Sequence, residues 1–183
     1  METKVFNLLI VDKSGSMSSV AKQTVSGINE TIASIQVQAK KNPEQKQFIT
    51  LMTFCGCERH YIFENTPIEQ ARQLTEKDYA PCCNTPLYDS IGIACARMES
   101  EVGVNDKLSS VCVTIFTDGY ENSSKEFNHA RVTALINRLK EKGWMFAYIG
   151  ADHDVEAVAY DLHIDNVMAF AKTDAGMQEM FQT

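Results

Sequence analysis

Apolar and polar positions alternate along the chain in blocks that switch period. Val5 to Val11 reads as an apolar strand of the kind buried on both faces. From Met17 to about Lys40 the period changes, with Val25, Ile28, Ile32, Ile35 and Ala39 on one helical face and Asn42-Pro43 as the stop. Phe48 to Phe54 predicts a second strand. The short Cys55-Gly56-Cys57 connection to Arg59–Phe63 predicts a hairpin, so the third strand runs antiparallel to the second. Pro67 to Leu74 suggests a short helix. Leu87 to about Val102 predicts a longer one, with Leu87, Ile91, Ala94, Cys95 and Met98 inward. Ser110–Thr117 reads as a strand, Glu126–Lys142 as a helix closed by Gly143, and Trp144–Gly150 as another strand. A weaker helix near Val155–Leu162, a strand at Val167–Phe170 and a terminal helical turn complete the pattern.

Strands alternating with helices imply an α/β fold with a mostly parallel sheet covered on both faces. With the hairpin at one edge, the natural six-stranded order is 3-2-1-4-5-6, a doubly wound sheet with one antiparallel edge strand. Such a sheet opens a crevice where the chain reverses direction, at the carboxyl ends of its first and fourth strands. Asp12 ends the first strand in "LLIVDKSGSMSS", and Asp118 ends the fourth in "VTIFTDGYENSS". The two carboxylates are therefore expected to face each other.

The residues around them share one chemistry. Asp12, Ser14 and Ser16 alternate, so an extended turn projects them to one side, and Gly15 is expected to let the backbone wrap around a ligand. "CCNTPLYDSIG" brings Thr85 to the same rim, just before Pro86 and a helix start. Two carboxylates and three hydroxyls form a hard-oxygen set that suits Mg2+ (or Mn2+) rather than a soft-ligand metal. Each piece also has a plain structural use. Ser16, Ser18 or Ser19 can cap the first helix, Thr85-Pro86 is a good helix start, and Asp118-Gly119 is a common turn. Their convergence on one crevice favours the metal site.

Composition narrows the partners. The 183 residues carry 44% apolar and 22% charged side chains, consistent with a single domain over 1–183. A net charge of −7 argues against nucleic acid or an anionic membrane as partner. No apolar run is long enough to span a bilayer and no basic leader precedes Val5, so a cytoplasmic protein is expected. In that compartment the six cysteines are expected as thiols.

The elements "DKSGSM", Thr85 and "TDG" resemble the metal-ion-dependent adhesion site of the von Willebrand factor type A domain family, in the family's order and across nearly the whole chain. "TDGYENSS" and "YIGADHDVEAVA" resemble small stand-alone bacterial or phage members in particular. The resemblance implies that Ser14, Ser16 and Thr85 supply hydroxyl ligands and that Asp12 and Asp118 hold the metal directly or through water. It also implies a protein partner whose Asp or Glu fills the open coordination position. Asn84, Tyr120, Glu121 and Asp152 are candidate rim residues for that partner. Many relatives carry glycines before the threonine, where this chain has Cys82-Cys83-Asn84.

Two rival readings are weaker. Cys55-x-Cys57 with Cys82-Cys83 invites a four-thiolate zinc site, but structural zinc usually takes cysteine pairs two to four residues apart. Cys95 and Cys112 read as core residues. An Asp ending the first strand also begins the pattern of Mg2+-dependent phosphohydrolases of haloacid dehalogenase type, with Asp12 as the reactive carboxylate. That chemistry needs a second acid two residues on, where this chain has Ser14. No G-x-S-x-G is present, and His60, His129, His153 and His163 occupy a hairpin, a helix start and the flanks of a weak helix. A binding module rather than an enzyme is expected.

Overall fold

The computed structural model describes residues 2–103, 108–118, 120–151 and 155–170. Its organising element is β1 (Thr3–Asp12), whose period-2 alternation sends successive side chains into two different cores. Phe6, Leu8 and Ile10 join one cluster, while Leu9 and Val11 join the other. The stretch from Leu8 to Val11 is buried on both faces, which is why every residue in it is apolar.

Around it the sheet has six strands in the order β3-β2-β1-β4-β5-β6. β2 (Gln45–Phe54) and β4 (Ser109–Thr117) flank β1 in parallel, and β3 (Arg59–Pro67) closes one edge antiparallel to β2. β5 (Met145–Ala151) and β6 (Asn166–Phe170) extend the other side in parallel. Helix α1 (Ala21–Lys41) covers one face with Val25, Ile28, Ile32 and Ala39. The opposite face is covered by α2 (Leu87–Val102), α3 (His129–Glu141) and α4 (Val155–Asp161). The doubly wound architecture expected from the sequence is the one observed. No helix among the described residues is long and apolar enough to cross a membrane.

Three expected boundaries move, two of them for a visible reason. The first helix does not begin at Met17. Gly15–Val20 forms a 3-10 turn and α1 starts at Ala21. The segment from Pro67 to Leu74 is not a helix beyond the 3-10 turn Ile68–Gln70. There the Gln36 amide donates to the carbonyls of Ile68 (3.0 Å) and Ala71 (3.1 Å), and Asn29 Oδ1 accepts from Leu74 N (2.6 Å). Side chains of α1 thus hold backbone groups that a helix would need for itself. Helix α3 begins at His129 rather than Glu126. The N–H groups of Lys125, Glu126 and Phe127 are held by the Asp89 carboxylate at 2.7–2.9 Å, and Asn128 caps the helix by accepting from Arg131 N. Gly143, at φ +87°, ends α3 as expected.

Candidate metal centre

β1 and β4 deliver Asp12 and Asp118 to the same end of the sheet, as their parallel pairing requires. Asp12 is fully buried and Asp118 nearly so. Asp12 Oδ1 accepts from Ser14 N at 2.7 Å, and its Oδ2 accepts from the Thr117 hydroxyl at 2.7 Å. The hydroxyls of Ser14 and Ser16 lie 3.2 Å apart, and Ser16 donates to Asp118 Oδ1 at 2.5 Å. An unbroken polar line therefore runs from Thr117 through Asp12, Ser14 and Ser16 to Asp118. Burial pushes the Asp12 carboxyl above its ordinary range. The bonds from Thr117 and Ser14 work against that shift, and the neighbouring Asp118 charge adds to it.

The segment bearing Thr85 reaches this line through its backbone. Gly15 N donates to Cys83 O at 3.0 Å, and Cys82 N donates to Lys13 O at 2.9 Å, so the loop before α2 lies along the serine loop. Thr85 is buried, and Asn122 clamps it from both sides. Thr85 N donates to Asn122 Oδ1 at 2.9 Å, and Asn122 N donates to Thr85 O at 3.1 Å. Gly15 is not in the left-handed region, and a Cβ there would meet Cys83 O at an ordinary 3.5 Å. The expected wrapping role of that glycine is therefore not what its backbone does.

The rim residues divide. Tyr120 is 55% exposed and Asn84 is exposed, so both face solvent beside the crevice. Glu121 turns inward instead. Its carboxylate accepts from the N–H groups of Tyr88, Ser123 and Ser124 and from the Ser124 hydroxyl, at 2.6–2.9 Å. It thereby satisfies the start of α2 and closes its own loop. Asp152, His153, Asp154, Gly119 and the terminal helical turn lie outside the described residues.

Four further residues support the site, three of them without a cue in the local sequence. Asp89, in the first turn of α2, holds the loop that leads into α3. Burial raises its carboxyl, but three backbone N–H groups outweigh that and bring it below the usual range. Tyr79, buried, donates its hydroxyl to Asp12 O at 2.5 Å. Lys13 is only 5% exposed and pairs with Glu58, and Asn122 clamps Thr85. An acid at the third position of a predicted helix is a readable cue for Asp89. The other three depend on contacts distant in sequence.

The cysteines depart from expectation. Cys57 and Cys83 are joined in a disulfide, so not all six are thiols. The reason is tertiary: Gly56 N donates to Asn84 O at 2.8 Å, pressing the hairpin connection against the Thr85 loop. Cys55, Cys82, Cys95 and Cys112 are free, and Cys95 is fully buried as a core residue.

The donor set fits a small hard cation. Its groups are oxygens only, two of them carboxylates with little access to solvent, and they are linked through serine hydroxyls that a cation can replace as partners. No protein-family model and no curated protein sequence matches the chain. Solved structures do match its fold. The VWA domain of SpRpn10 superposes with a TM-score of 0.65 at 12% identity, covering 97% of this chain and 93% of that one. Proximal thread matrix protein 1 of the mussel byssus, in a form with a zinc-occupied MIDAS motif, gives 0.65 at 12% identity over 99% of this chain. The pilus adhesin SpaC from Lactobacillus rhamnosus GG, in an open conformation, gives 0.66 at 14% identity over 98%. The chain spans 44% of the mussel protein and 29% of the adhesin. The fold is thus that of a von Willebrand factor type A domain.

Proposed function

We propose that this chain is a metal-dependent protein-binding module. In this reading Asp12, Ser14, Ser16, Thr85 and Asp118 hold Mg2+ or Mn2+, and a partner protein contributes an Asp or Glu carboxylate as a further ligand. The observation that carries the reading is the polar line from Asp12 through Ser14 and Ser16 to Asp118. The zinc-occupied site of the mussel protein, on the same fold, supports it. When bound, the ion supplies an under-neutralised positive centre, because three of its five protein groups are neutral hydroxyls.

The chain's own residues supply the positioning. Thr117 and Ser14 N fix both oxygens of Asp12, Tyr79 anchors the backbone beneath it, and Asn122 holds Thr85 in place. Tyr120 and Asn84 stand exposed where a partner surface would arrive. A net charge of −7 favours a single acid set in an otherwise neutral or basic partner surface. The resemblance to bacterial and phage members extends the reading to a bacterial cytoplasm.

Partner capture with and without chelator tests it. Binding requires Mg2+, disappears in EDTA, and is lost in the Ser14→Ala/Ser16→Ala double variant, which keeps its fold because neither hydroxyl fills a core. A partner retained equally in excess EDTA overturns the reading. So does Mg2+-dependent turnover of an aryl phosphate, since Ser14 stands where that chemistry needs an acid.

A further inference from the structure

The sulfurs of Cys55, Cys57, Cys82 and Cys83 all lie within 4.8 Å of one another. They come from two loops, the β2–β3 connection and the approach to α2. The closest pairs cross between the loops: Cys57 is bonded to Cys83, and the sulfurs of Cys55 and Cys82 are 3.1 Å apart. Spacing along the sequence argued against a shared metal because structural zinc usually takes cysteine pairs two to four residues apart, and adjacent or alternate cysteines strain a tetrahedron. The structure removes that objection. Cys83 adopts φ +61°, a left-handed conformation uncommon outside glycine, so the backbone at Cys82-Cys83 is not extended and the two sulfurs lie within 4.8 Å of each other. Gly56 allows the other loop to close in, since a Cβ there would stand 3.1 Å from Asn84 N.

We propose that, with the Cys57–Cys83 bond reduced, these four thiolates bind one Zn2+ and tie the β2–β3 hairpin to the loop carrying Thr85. This site is separate from the oxygen crevice and does not depend on its reading. A tetrahedral zinc with Zn–S bonds of about 2.3 Å holds its sulfurs about 3.8 Å apart. Four sulfurs whose largest separation is 4.8 Å are already gathered at that scale. The tetrathiolate complex is a dianion, and two charges act on Cys82 in opposite senses: Lys13, nearly buried, favours its thiolate, and Glu58, paired with Lys13, opposes it. The framework is set by backbone bonds from Cys55 N to Glu58 O, Gly56 N to Asn84 O and Cys82 N to Lys13 O, at 2.8–2.9 Å.

The chemistry balances in two steps. A dithiol reductant passes two electrons to the Cys57–Cys83 bond, leaves as its own disulfide, and its two protons end on the two Sγ atoms. Zn2+ then displaces one proton from each of the four thiols, with no electron transfer.

The test uses the full chain reduced with a dithiol, loaded with Zn2+, desalted, and analysed for metal by mass spectrometry. The Asp12→Ala variant is run alongside, because zinc can enter a site of the crevice type. One Zn2+ per chain is expected in Asp12→Ala, falling to none when Cys55→Ser or Cys82→Ser is added to that variant. Zinc that is lost in Asp12→Ala and kept in Cys55→Ser overturns the proposal, as does a reduced protein that retains none. Co2+ substitution of the wild type gives a second readout that needs no variant to fold. A sulfur-to-cobalt charge-transfer band with tetrahedral ligand-field absorption supports the site, and a spectrum without it overturns the site. Neither result bears on Mg2+-dependent partner binding, so failure of one reading is separable from failure of the other.

Discussion

The oxygen crevice and the sulfur cluster share the stretch Lys13–Gly15, yet they are assembled by different physics. In the crevice, each carboxylate is already engaged by neighbouring protein groups, Asp12 by Ser14 N and Thr117 and Asp118 by Ser16. The site stands on strand ends fixed by two apolar cores, so its geometry follows from the sheet. The cluster sits on connecting loops with far less apolar burial, and cross-loop sulfur contacts join what the sheet does not. A ligand in the crevice therefore reads out a preformed arrangement. A bond or ion in the cluster helps create the arrangement it occupies.

If that contrast holds, the largest effect is functional and leaves the fold alone. Asp118→Asn should abolish the Mg2+-induced rise in melting temperature while the metal-free protein melts at the same temperature or slightly higher, because one carboxylate beside Asp12 is gone. Unfolding of this variant would show that the crevice is not preformed. Next comes the support behind it. Asp89→Ala strands three backbone N–H groups and should lower stability by about 3 kcal/mol in urea titrations. A third change strikes the loops. Gly56→Ala places a Cβ 3.1 Å from Asn84 N and should cost about 2 kcal/mol. Its mark is faster alkylation of Cys55 and Cys82 by mass spectrometry, with the response to Mg2+ reduced only through Thr85. A milder probe is Tyr79→Phe, which removes the bond to Asp12 O and should cost about 1 kcal/mol.

The smallest effect belongs to a site remote from both. Glu99 links α2 to α3 through Arg138 and Lys142 at 2.5–2.7 Å, and those partners, Arg138 first, lower its carboxyl to about 2. Because the folded value lies below the unfolded one, its contribution is complete above about pH 4.5 and is lost as pH falls toward 2. Glu99→Gln should therefore cost under about 1 kcal/mol at neutral pH, progressively less as pH falls through about 2 and nothing below it, by thermal melts across that range. A change in Mg2+ response in this variant would deny the independence of the crevice.

Much of this molecule was fixed by pattern alone. An apolar β1 bounded by Asp12, the helical stripe of α1 and the boundaries of α2 follow from period and composition, because burial of a strand or stripe leaves a local signature. The pairing of Asp12 with Asp118 follows too, since a doubly wound sheet brings those strand ends together whatever the intervening loops do. Tertiary structure decided what local sequence cannot encode. Gln36 and Asn29 hold the 67–74 segment out of a helix, Asp89 delays the start of α3, and Glu121 turns away from the rim it was expected to line. The cysteines show the limit most clearly. The expected compartment argued for six thiols and their spacing against a shared site, yet two loops bring four sulfurs within 4.8 Å of one another, with Cys83 left-handed and Gly56 close against Asn84. Backbone direction at a loop is set by contacts with other loops, and those contacts exist only once the chain has folded.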